Sequence, residues 1–200
     1  LDDVRRFHAT YYRPDNALLI VVGDFDAARL DTWVDRYFGP LATPAAPIPR
    51  VTLKEPARTQ DQRARVHGPN VPLPAVALVW KGPPAGHPDA PALEVAQALL
   101  SAGESARLNQ ALVYNARSAQ AAGFSADLYA DAGMLAAYAI AASGQSLRRL
   151  ETALLSEITL LARGRVGVDE IDKVRTQLLT AALLQRQTPQ GLANAIGIGL

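Results

Sequence analysis

The stretch from Pro40 to Gln60 decides how this chain can be divided. Pro40, Pro44, Pro47, Pro49 and Pro56 stand there among Ala and Thr. Proline fixes φ and has no N–H to donate, so such a stretch builds neither a helix interior nor a central strand. It reads as an extended linker over residues 41–57. A packed unit is expected on each side, residues 1–40 and residues 58–200. The 200 residues suffice for this. A chain of that size buries about 70% of its unfolded surface and folds without a disulfide or a metal.

Periodicity sets the elements. Leu1, Val4, Phe7, His8 and Tyr11 recur at helical spacing, and Pro14 ends that helix near Tyr12. The continuous apolar run Ala17–Val22 suits a strand covered on both faces. Asp26 is placed to cap a helix carrying Leu30, Trp33, Val34 and Tyr37, with Phe25 as its hydrophobic staple. Beyond the linker, 63–67 and 75–80 read as strands. Helices are expected from Asp89 to Gly103 and from Ser105 to Asn115. Residues 122–128 alternate with strand period, and an Ala130–Gly133 turn leads to a buried strand over 134–142. Gly133 is expected there to supply a positive φ. Two amphipathic helices follow, lined by Leu147, Leu150, Leu154, Ile158 and Leu161, and by Val168, Ile171, Val174, Leu178 and Ala182. Strands in antiparallel pairs and helices in pairs predict an α+β fold, an antiparallel-rich sheet with helices mainly on one face.

Composition excludes several functions. With no Cys there is no disulfide scaffold, thiolate zinc site, iron–sulfur centre or Cys nucleophile. The net charge of +1 gives no footprint for nucleic acid. Arg outnumbers Lys 17 to 3, which fits a GC-rich bacterial codon bias. The longest apolar stretch, 134–142, falls far short of the roughly 20 residues of a membrane helix. His8, His67 and His87 are the only histidines, and none has a partner at metal-ligand spacing. There is no G-x-S-x-G elbow and no phosphate loop. No catalytic residue and no metal ligand is therefore expected here. Leu1 is not Met, and the chain stops inside the apolar run Ala195–Leu200. Both ends suggest a piece of a longer protein.

Two segments resemble a known family. Phe7-His8-Ala9-Thr10-Tyr11-Tyr12-Arg13-Pro14-Asp15-Asn16-Ala17, continuing through Val21-Val22-Gly23-Asp24-Phe25-Asp26 to Tyr37-Phe38-Gly39, is similar to a stretch of the M16 metallopeptidases. These form the pitrilysin, insulysin and mitochondrial processing peptidase clan. Pro83-Pro84, His87-Pro88-Asp89 and Gly103-Glu104-Ser105-Ala106-Arg107-Leu108 are similar to its "P-P-x-x-H-P-D … G-x-S-S-R-L". Ala106 replaces the second Ser.

The resemblance implies that residues 1–40 end one M16 domain as helix–strand–helix. It implies that 58–200 are most of a second domain, the one without zinc. The family's H-x-x-E-H motif would lie upstream. There a zinc-bound water, activated by the motif Glu, attacks a peptide held between two halves. Zinc is thus expected in the parent protein and not in this chain. Implied partners are a peptide or protein substrate and a second M16 half or subunit, with no nucleic acid and no membrane span. The role would be chamber wall and subunit interface. The alternative is a non-enzymatic binding or assembly protein on the same fold. Related bacterial members imply the periplasm, with the cytoplasm as the other compartment.

Where many members carry a substrate-contacting Arg and Tyr, this chain has Val113 and Gln120. Two readings stay open: a zinc-bearing subunit whose partner supplies the pair, or a non-catalytic parent. The second domain also lacks its last helix–strand–helix. Residues 1–38 are expected to fill that vacant place, within one chain or swapped between two.

Overall fold

The computed structural model of the chain describes residues 1–199. Two compact units are present: Leu1–Arg63 with the segment from Ala181 onward, and Ala64–Thr180.

In the first unit, α1 (Asp2–Tyr11) is followed by a 3₁₀ turn at Pro14–Asn16 and by α2 (Ala27–Tyr37). Asp26 caps α2 by accepting a hydrogen bond from the Arg29 amide at 2.8 Å, as expected of an N-cap. The same unit holds α6 (Pro189–Ile198), capped by Thr188 on the Gly191 amide. Neither α1 nor α2 buries a residue. Ala17–Val22, expected as a strand, joins no sheet. A continuous apolar run needs cover on both faces, and here a Cβ on Gly197 of α6 would stand 3.0 Å from the Ile20 side chain. The expected strand at 63–67 is likewise absent, since that segment is exposed and has no strand beside it.

The second unit is a three-stranded antiparallel sheet, β1 (Ala75–Gly82), β2 (Ala119–Leu128) and β3 (Gly133–Ala141), in the order β1-β3-β2. Both ladders are antiparallel, with Leu78 opposite Ala137 and Ala137 opposite Phe124. Among the described residues no fourth strand joins this sheet.

One face of the sheet carries the core. Val76, Leu78, Ala122, Phe124, Ala137, Ala139 and Ala141 meet Leu100 of α3 (Ala90–Ser101) and Leu150 and Leu154 of α4 (Leu147–Ala162). Small Ala side chains on the central strand let the helices approach closely. A second cluster joins Ala98 and Leu99 to Val174 of α5 (Val168–Gln185). Helix α3 also protects the outer edge of β2. Ser101 Oγ accepts from the Phe124 amide, and Gln97 Oε1 accepts from the Ala126 amide at 2.8 Å. Such side-chain bonding satisfies an edge that would otherwise recruit another strand. Gly133 does not have a positive φ. Glycine is needed there for close approach, since a Cβ would stand 2.5 Å from the Pro83 carbonyl oxygen.

Candidate functional site

The segment Gly103–Leu108 is built as a buckle. Gly103 adopts φ +79°, which turns the chain after α3. Ala106 is buried, so the methyl group fits a place with no room for solvent. Arg107 then reaches the start of α5. Its Nε and Nη2 donate to Glu170 Oε1 and Oε2 at 2.8 and 2.7 Å, and Nη2 also donates to the Arg165 carbonyl at 2.6 Å. Glu170 in turn accepts from the Gly167 amide at 3.0 Å. A two-pronged guanidinium–carboxylate pair is the strong form of ion pair. The Arg107 guanidinium holds the Glu170 carboxyl at about 2, and Glu170 raises the pKa of Arg107. Lys173 Nζ adds bonds to the Ser105 carbonyl and hydroxyl. The Arg107 and Glu170 charges thus stabilise one another.

After the buckle comes a π-helix, Asn109–Asn115, where a regular α-helix was expected. Its wide turn shows in the Ala116 amide bonding the Ala111 carbonyl at 3.1 Å. Such turns are rare and often mark functional places. Val113 lies on it, half-buried against the core. Gln120 is exposed on β2, where the register with β3 shifts between Ala119 and Ala121. Between them Arg117 is the one non-glycine residue with positive φ among the described residues. Neither Val113 nor Gln120 can supply a cation or a phenol.

The histidines are dispersed. His8 stacks on Tyr12 at 4.8 Å. His87 Nδ1 accepts from the Asp89 amide at 3.2 Å. His67 is exposed. Among the described residues no group of three or more His, Asp or Glu could hold a metal ion. The residues present therefore do not fit a catalytic zinc, which needs three protein ligands around an open position.

What remains is the second face of the sheet. No helix covers Val79, Met134 and Tyr138, which are 47%, 42% and 46% exposed. By strand alternation Ala77, Lys81, Gly123, Ser125 and Asp127 share that face, Lys81 and Asp127 flanking Met134 in register. The Tyr138 ring lies over Gly123, so that a Cβ there would meet it at 2.7 Å. Among the described residues no strand pairs with the far edge of β1. The result is a sheet face that is apolar around Val79 and Tyr138, charged at its Lys81–Asp127 end, and has one open edge.

The helix-backed antiparallel sheet and the helices around it define an M16 peptidase type of fold. The chain belongs to the M16 peptidase family, matching the family's inactive domain over residues 1–178. It is 30% identical over 177 residues to the zinc protease PqqE of Helicobacter pylori, covering 88% of this chain and 40% of that protein. A protease structure from Helicobacter pylori superposes with TM-score 0.90 at 27% identity, over 97% of this chain and 47% of that one. A predicted insulinase family protease from Yersinia pestis superposes with TM-score 0.66 at 18% identity, covering 98% and 44%. The chain thus spans less than half the length of these relatives. No helix among the described residues is long and apolar enough to cross a membrane.

The buckle and the π-helix were not legible in the spacing of residues. Arg107 and Glu170 are 63 positions apart, and the π-helix hides within ordinary helical periodicity. The residues Ser105 to Leu108, singled out by motif, were the available signal.

Proposed function

We propose that this chain is the zinc-free part of a bacterial M16 zinc endopeptidase, with the bare face of its sheet forming a wall of the substrate chamber. The observation that carries the reading is that face: Val79, Met134 and Tyr138 are exposed on one side, while helices cover the other. An extended peptide presents apolar side chains and unpaired backbone groups, and the apolar patch around Val79 and Tyr138 with the open β1 edge complements both. On this reading residues 1–40 end a first M16 domain, 41–57 link it to the second, and zinc is held elsewhere in the parent. The second half or subunit packs against this one, and the compartment is the periplasm.

The experiment compares this chain with the longer protein on a labelled unstructured peptide with zinc added. The reading requires cleavage by the longer protein, its loss on chelation, and none by the 200-residue chain. A second reading, a non-enzymatic binding or assembly protein on the same fold, is favoured by Val113 and Gln120 replacing a cationic and a phenolic residue. It requires that the longer protein bind but not cleave, and that no H-x-x-E-H motif lie upstream.

A further inference from the structure

Arg13 is the one buried charged residue among the described residues, and its side chain is only 6% exposed. The immediate neighbours account for half of its bonding. Nε and Nη2 donate to the two carboxylate oxygens of Asp15 at 2.6 and 2.8 Å. The other half reaches far along the chain. Nη1 donates to the Ala46 carbonyl and Nη2 to the Pro44 carbonyl, each at 2.7 Å. These two acceptors lie in the Pro-rich stretch that reads as a free linker. Two residues on, Ile48 is half-buried, whereas all the other residues from 39 to 72 are exposed.

We propose that Arg13 is a clasp that straps Pro44–Ile48 onto the first unit, so that the free tether begins after Ile48 rather than at Leu41. The chemistry fits the task. Pro44 and Pro47 have no N–H to enter a sheet ladder, so a side-chain donor to the carbonyls of Pro44 and Ala46 is a suitable way to hold the segment. Arginine carries five N–H donors in a planar fork and no acceptor. Asp15 occupies one side of the fork and fixes its plane, which leaves the other side aimed at the two carbonyls.

The test is limited trypsin digestion of the chain, with cleavage followed site by site in a mass spectrometer. Cleavage after Arg50 requires the strap to open, because the protease engages several residues on each side of the bond. Arg58 lies beyond the strap and is an internal reference. Arg13 itself precedes Pro14 and resists trypsin. With Arg13→Ala, cleavage after Arg50 is expected to rise about tenfold as charge-assisted bonds are lost, with Arg58 unchanged. Asp15→Asn keeps the bonds to the carbonyls and should give a smaller rise. Arg13→Lys retains the charge but cannot span both carbonyls and the carboxylate. It should also raise cleavage at Arg50, and it decides the matter if the alanine variant unfolds. An unchanged rate at Arg50, or an equal rise at Arg50 and Arg58, overturns the clasp.

Discussion

Replacing Glu170 by Gln removes the negative half of the buckle while keeping its shape. In the fold the carboxyl ionises at about 2 against an ordinary 4.5, mainly because Arg107 bonds the charged form. At about 1.4 kcal/mol for each tenfold change in dissociation, that displacement corresponds to about 3 kcal/mol. Glu170 is 35% exposed, and solvent screening reduces the figure to about 1–2 kcal/mol. The sign with pH follows from the lowered value. The stabilisation is fully present above 4.5 and is lost as pH falls toward about 2. Glutamine does not titrate, so the gap between the two proteins should be widest at pH 7 and less than half as large near pH 3. Urea unfolding measures this. Each unit contains one tryptophan, Trp33 in the first and Trp80 in the second, so a Trp33→Phe background reports the second unit alone. A gap below about 0.3 kcal/mol at pH 7, or one independent of pH, refutes the reasoning.

Two further outcomes concern the sheet. Leu154, fully buried under β3, should cost about 2–5 kcal/mol when cut to Ala, read as a lower urea midpoint of Trp80 fluorescence. Gly123→Ala should cost about 1 kcal/mol by displacing the Tyr138 ring, and the penalty should vanish in a Tyr138→Ala background; an equal cost in both backgrounds contradicts the packing.

Much of the second unit was legible because its signals are local. The spacing of Leu150 and Leu154 reports the face of α4, and alternation over 122–128 reports β2. Asp26 and the apolar stripe after it likewise define α2. Partners distant in sequence were harder to see. Ala17–Val22 has the composition of a buried strand, but composition cannot say whether a neighbouring strand lies in the same chain. The reach of Arg107 to Glu170 and of Arg13 to Pro44 crosses 63 and 31 positions of chain with whole elements between, and nothing in the spacing announces either. Gly133 showed as a turn signal, yet its need comes from the Pro83 carbonyl beside it. Val113 and Gln120 could be located by motif, but their apolar and neutral chemistry assigns them no role.

The central claim is that the bare face of the sheet meets the substrate. A photo-crosslinking amino acid at Tyr138, in the longer protein with a labelled unstructured peptide, tests it directly. The same amino acid at Leu155, exposed on α4, is the comparison. The account predicts peptide adducts from position 138 that an excess of unlabelled peptide removes, and none from position 155. Adducts from 155 alone, or from both positions equally, would contradict it.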